Sequence, residues 1–157
     1  MSTKFIYPIF SQKSGLEISA ETKESREGSR VTERTGRVQL RFFLLEPPSE
    51  GKTTQLKFIC EPFEAYDLFL KINKVVQSPG KEKLTHKFKN GDGAEIVTTV
   101  AVEHWQRGEK SGFGFSAGRG NDFISVPVSQ DQIARFLHAG EFLRFLSTRQ
   151  QWVETMA

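Results

Sequence analysis

The chain has 157 residues, long enough for one domain to bury a core without disulfides or a structural metal, and 37% of them are hydrophobic, 14 of them Phe. A net charge of +3, from 22 Lys and Arg against 19 Asp and Glu, permits a phosphate-binding face without demanding one. The single cysteine, Cys60, excludes an intramolecular disulfide and a thiolate zinc cluster, and no run approaches the ~20 apolar residues of a spanning helix. Because Met1-Ser2-Thr3-Lys4 has no secretory hydrophobic region, an intracellular setting (cytoplasm, nucleoid or nucleus) is expected, with no membrane partner.

Short runs of alternating apolar and polar residues, the mark of a half-buried strand, recur between turn residues. The first covers 5–10 and the second 16–21, separated by Lys13-Ser14-Gly15. Residues 22–36 hold Thr, Lys, Glu, Ser and Arg with no apolar period and predict a mobile loop, in which Lys23, Arg26, Arg30 and Arg34 are matched by Glu21, Glu24, Glu27 and Glu33. Over 37–46, Val38, Leu40, Phe42 and Leu44 share one face, and Arg37, Gln39, Arg41 and Phe43 the other. A turn at Pro47-Pro48-Ser49-Glu50-Gly51 leads to a strand over 53–61, with Leu56, Phe58 and Cys60 opposite Gln55, Lys57 and Ile59.

Pro62 suits the first turn of a helix, and the spacing of Phe63, Tyr66, Phe69, Leu70, Ile72 and Val76 extends that helix to about Gln77. Ser78-Pro79-Gly80 ends it. A second cycle follows, with strands over 84–89, 95–107, 112–119 and 123–129, then a helix from an N-cap near Ser129 to about Trp152. Gly140 inside this helix marks either a kink or a close helix contact.

Two cycles of four strands and a helix amount to an internal repeat, over about 4–77 and 83–152, within a single domain spanning 1–157. Local strings support it: Phe58-Ile59-Cys60-Glu61-Pro62 resembles Phe123-Ile124-Ser125-Val126-Pro127, and Gly15-Leu16-Glu17-Ile18 resembles Gly93-Ala94-Glu95-Ile96. The expected class is α+β, two ββββα units whose antiparallel sheets have the helices packed between or against them.

Catalysis has little to work with. His86, His104 and His138 show no metal or triad spacing, and neither a zinc-protease helix motif, a nucleophile elbow nor a Walker loop is present. Gly112-Phe113-Gly114-Phe115 alternates like a strand and leads into no helix, so a phosphate loop is disfavoured. Cys60 has no activating histidine in sequence and reads as a small core residue. The chain is expected to be no enzyme and to need no cofactor or metal.

Single strands are bound by cations that neutralise phosphates and by aromatic faces on which bases stack. Candidates for that role are Arg37, Arg41, Phe43 and Lys57 in the first unit and Lys87, Lys89, Trp105, Arg107, Phe113, Phe115 and Arg119 in the second. The glycines alternating with Phe113 and Phe115 leave one face of that strand bare, so that a backbone or a ligand approaches there.

Consecutive ββββα units resemble the Whirly and Pur-alpha families and their relative, the positive-cofactor-four transcription coactivator. The resemblance is one of architecture and runs from Lys4 to Trp152; the Lys-Gly-Lys-Ala-type signature of plant Whirly proteins is absent. It implies blade-like sheets, helices forming a core or subunit contact, a homodimer or homotetramer, and single-stranded DNA or RNA crossing the sheets in a transcription or DNA-maintenance role. The rival readings are a protein-interaction or assembly module, and a small barrel around an apolar ligand.

Overall fold

The computed structural model describes residues 5–46 and 53–152. Along these residues the elements are β1 (Ile6–Phe10), β2 (Ser14–Glu27), β3 (Arg30–Leu44), β4 (Gln55–Cys60), α1 (Pro62–Gln77), β5 (Gly80–Lys89), β6 (Glu95–Arg107), β7 (Lys110–Arg119), β8 (Asp122–Ser129), a 3-10 turn (Gln130–Gln132) and α2 (Ile133–Gln151). Each group of four strands is an antiparallel meander, ordered β1-β2-β3-β4 and β5-β6-β7-β8. The ββββα repeat expected from the sequence is therefore the observed architecture. The turn expected at 47–51 lies outside the described residues.

Period-two patterning gives every strand one face for the core. Leu56, Phe58 and Cys60 of β4 are buried while Gln55, Lys57 and Ile59 are exposed, and β8 repeats this with Ile124, Val126 and Val128. One continuous hydrophobic cluster draws on the inward faces of both sheets and on Ala65, Leu68, Ile72 and Val75 of α1 and Phe136, Ala139, Leu143 and Leu146 of α2. At the head of α1, Glu61 and Glu64 form a reciprocal capping box with Pro62 just inside it.

Gly140 marks a close helix contact. A Cβ placed on it would lie 3.3 Å from Ile72 Cγ2, so its bare backbone lets α2 sit tightly against α1. The three histidines tie helices to sheets. His86 on β5 donates through Nε2 to Glu64 Oε2 of α1 at 2.7 Å, His104 on β6 donates through Nδ1 to the Val75 carbonyl at 2.8 Å, and His138 on α2 shares a 3.1 Å hydrogen bond with the Tyr7 hydroxyl of β1.

Several sequence expectations change. The mobile loop expected at 22–36 is instead the outer part of the β2–β3 hairpin, where Glu24 pairs with Arg34 and Glu27 with Arg30 in register. This ribbon has no core face, so it needs no apolar period. Charge pairs hold it instead, with Glu24 accepting from Arg34 Nε across the strands at 3.1 Å and from Arg26 Nη2 along its own strand at 2.7 Å. The turn closes through Gly28 at a φ of 66°. β5 begins at Gly80 rather than near 84, and Ser129 precedes the 3-10 turn rather than α2 itself, its hydroxyl donating to Asp131 Oδ1 instead of capping. The string match between 58–62 and 123–127 fails by face, since Phe58 is buried and Phe123 exposed.

The base of the ribbon is tied to the end of α2. Buried Gln150 donates through Nε2 to the carbonyls of Glu21 at 2.6 Å and Arg37 at 2.9 Å, and a Cβ on Gly36 would fall 2.0 Å from the Gln150 carbonyl oxygen. Backbone faces backbone there, so neither side can yield cheaply. Gly36→Ala is expected to lower stability by about 1–3 kcal/mol in urea denaturation, as overpacking does. Gly91→Ala, where an added Cβ meets nothing within 4 Å, should stay within about 0.5 kcal/mol of the parent.

Candidate nucleic-acid interface

Antiparallel register places directly opposed residues on one face, so the outward surface of each sheet can be read in rows. On the first sheet one row is Pro8, Glu17, Arg41 and Lys57, and the next is Phe10, Gly15, Phe43 and Gln55. The Phe43 ring lies down on Gly15, where a Cβ would come within 2.3 Å of ring atom Cζ. Phe10 meets Phe43 edge-on at 5.9 Å, and the Arg41 guanidinium stands 4.4 Å over the same ring. Arg41 is further held by Glu17 Oε1 at 2.7 Å and Gln55 Oε1 at 3.1 Å.

The second sheet repeats the device. Trp105, Gly112 and Ser129 form one outward row, and the indole covers Gly112 so closely that a Cβ there would lie 2.6 Å from Trp105 Cζ2. Arg107, two residues on, places its guanidinium 5.8 Å from the indole centroid. On both sheets a glycine lets a large ring lie flat across the neighbouring strand with a cation beside it.

The two sheets meet where the buried Ser14 Oγ donates to the Ser125 carbonyl at 2.6 Å. Along this junction runs a groove of about 940 Å³, with Phe10, Lys13 and Ser14 on the side of the first sheet and Trp105, Pro127 and Gln132 on the side of the second. Phe10 and Lys13 carry no sequence signal for such a role, because only the register sets Phe10 opposite Gly15.

Of the eleven residues singled out from the sequence, Arg41, Phe43 and Lys57 lie on the outward face of the first sheet, and Lys87, Lys89, Trp105 and Arg107 on that of the second. Four others sit differently. Phe113 and Phe115, expected to stack bases, are 0% and 1% exposed and pack on Phe136 with ring centroids 4.9 Å away in both cases. Strand parity explains this, since Gly112, Gly114 and Gly118 take the outward positions of β7 and drive the phenylalanines inward. Arg119 also points inward, donating through Nε to Thr98 Oγ1 at 2.7 Å and through Nη2 to the Lys57 carbonyl at 3.1 Å, a bridge between the sheets. Arg37 lies at the ribbon base 3.8 Å from Glu61, and its Nε is buried without a partner among the described residues.

Among the described residues no group of three or more His, Cys, Asp and Glu is placed to hold a metal ion, and no helix is long and apolar enough to cross a membrane. No protein-family profile matches the chain, and no curated protein matches it. Solved structures do. WHY1 from Arabidopsis thaliana is 16% identical and superposes with a TM-score of 0.56 over 93% of this chain and 86% of that one. The plant transcriptional regulator PBF-2 gives 0.56 at 16% identity over 95% and 85%, and WHY3 from Arabidopsis thaliana 0.54 at 17% over 89% and 86%. At such identities the likeness is one of fold, and it meets the Whirly resemblance of the sequence at that level.

Cys60 closes the inward face of β4, its thiol donating to the Val38 carbonyl at 3.5 Å, and burial together with nearby Glu64 pushes its pKa above the usual thiol range. In the native protein Cys60 is expected to resist alkylation at pH 8 and to react fully once the chain is unfolded in denaturant; rapid labelling of the native form would contradict this packing.

Proposed function

We propose that the chain is a non-enzymatic binder of single-stranded DNA or RNA, largely indifferent to sequence, which lays the strand across the groove where the two sheets meet. The observation that carries the reading is that Phe10 and Lys13 line that groove on one side and glycine-seated Trp105 on the other, with glycine-seated Phe43 and Arg41 beside Phe10 and Arg107 beside Trp105. Flat rings accept any unpaired base, whereas a duplex keeps its bases stacked on one another, so selectivity for single strands follows from the chemistry. Lys87 and Lys89 add positive charge on the same face as Trp105. The fold shared with a plant transcriptional regulator makes a role in transcription or DNA maintenance a natural extension.

Self-assembly into a dimer or tetramer belongs to the same proposal. Phe63, Tyr66 and Leu70 lie at helical spacing along α1 and are 67%, 43% and 49% exposed, an apolar stripe that a second copy would cover. Leu70→Glu is expected to yield monomers in sedimentation velocity with an unchanged circular dichroism spectrum; an unchanged assembly size would remove α1 from the contact.

The decisive measurement is fluorescence anisotropy with a labelled mixed-sequence single strand and a duplex of equal length, over a salt series. Single strands should bind preferentially, with log affinity falling by about 0.7 per log unit of salt for each phosphate neutralised. Trp105→Ala should weaken binding about 5- to 150-fold, the equivalent of the ~1–3 kcal/mol measured for base stacks. Gly112→Ala, which pushes the indole off its seat, should also weaken binding with the fold intact. Equal affinity for duplex or a salt-independent complex would count against stacking of a single strand, and no binding to either at low salt would favour the protein-interaction reading instead.

A further inference from the structure

Beyond Trp105, the outward positions of β7 are all small residues. Gly114, Ser116 and Gly118 occupy consecutive outward positions of β7 and leave a shallow floor, bordered on β6 by Glu103, Ala101 and Thr99. At its far end Phe123 of β8 stands 64% exposed, its Cδ2 3.6 Å from where a Cβ on Gly118 would be. This is the third outward ring set against a glycine.

One margin of the same floor is basic. The outward positions of edge strand β5 carry Lys81, Lys83, Lys87 and Lys89, all exposed and none in an ion pair among the described residues. Glu103 and Glu95 stand opposite the outer two, whereas Lys83 and Lys87 face Ala101 and Val97 with no acid across the strand. Residues on one face of a strand recur every ~6.7 Å. Three such steps separate the Trp105–Gly112 row from the Phe123–Gly118 row, a span of about 20 Å. That is room for about six nucleotides at the ~3.4 Å spacing of a stacked strand, and for fewer in an extended one.

Resting on the single-strand reading above, we propose that the bound strand continues from the junction groove along this floor, with Phe123 as a second stacking platform and with Lys83 and Lys87 each neutralising a phosphate. Lysines on an edge strand also discourage unwanted strand pairing, but that role calls neither for an exposed phenylalanine nor for a floor of small residues beside them. Polyanion charge complements the lysine margin, and a planar base complements Phe123.

The test uses the full chain and the labelled single strand, comparing the parent with Phe123→Ala, Phe123→Trp, the Lys83→Ala/Lys87→Ala double variant and Trp105→Ala. Phe123 and both lysines are exposed, so the variants should fold. Phe123→Ala is expected to weaken binding about 5- to 150-fold, matching one lost stack of ~1–3 kcal/mol, and Phe123→Trp to retain parental affinity. The lysine pair should reduce the salt slope by about 1.4, or 0.7 per phosphate contact. If Trp105→Ala weakens binding while Phe123→Ala and the lysine pair leave affinity and slope unchanged, this track is overturned and the single-strand reading stands. A parent protein that binds no single strand overturns both. Self-association lost in Phe123→Ala, with nucleic-acid binding unaffected, would mark the face as a contact between copies and equally overturn the track.

Discussion

The close approach of α2 to α1 is the contact on which both sheets depend. Gly140 lets the helix backbone come down onto Ile72, and from that position Phe136 reaches the rings of Phe113 and Phe115. A Cβ at Gly140 would come within 3.3 Å of Ile72 Cγ2, so the Ile72 side chain would have to give way for α2 to keep this seat. The first sheet is held by the other end of the same helix, where buried Gln150 supplies a donor to two carbonyls at the base of the ribbon. An unmade bond there would strand buried polar groups, at a cost of about 1–3 kcal/mol each. The histidine bridges add to the same scheme, each joining a helix to a strand at a separate point.

Once the helices take the inward faces, the outward faces are left to water, and what stands on them is not required by the core. That gives their aromatics a different weight from the buried ones. Phe43 and Trp105 lie flat on Gly15 and Gly112, which shields one side of each ring, and the Arg41 guanidinium stands 4.4 Å over the Phe43 ring. A glycine within a strand weakens it through lost packing and greater chain entropy. Its repeated placement beneath an outward ring exchanges strand stability for a flat aromatic surface on a rigid support. Binding surfaces built on strands hold their geometry better than those on loops, which suits a ligand recognised by stacking.

The element order was legible in the sequence because alternation and helical spacing both report burial, and burial in this fold is strongly periodic. α1 runs from Pro62 to Gln77 and β6 from Glu95 to Arg107, the bounds their patterns predict. The ribbon was illegible because neither of its faces is buried, so apolar periodicity had nothing to record. Arg41, Lys57 and Trp105 were legible as outward residues from parity alone. Phe113 and Phe115 were misassigned because alternation separates two faces without saying which one the helix covers; volume decides, since a glycine face cannot fill a core. Phe10 and Lys13 depend on register and on the junction between sheets, neither of which is a local property of the chain.

Charge distribution separates the surfaces more sharply than the net +3 does. In the ribbon Arg26 and Arg34 share Glu24, Arg34 across the strands and Arg26 along the same one, so both charges are already engaged. Arg41 is restrained by Glu17 and Lys74 by Glu82, so these cations too are partly neutralised. The lysines of β5 have no such partner among the described residues, although β5 contributes only ten residues to the chain. A polyanion gains most from cations that are not already paired, because it need not break an existing contact to reach them. The field such a ligand meets is therefore local, concentrated along the margin of the second sheet and continuous with the face that carries Trp105. A mildly basic protein can in this way present a strongly basic edge without the self-repulsion of a high overall charge.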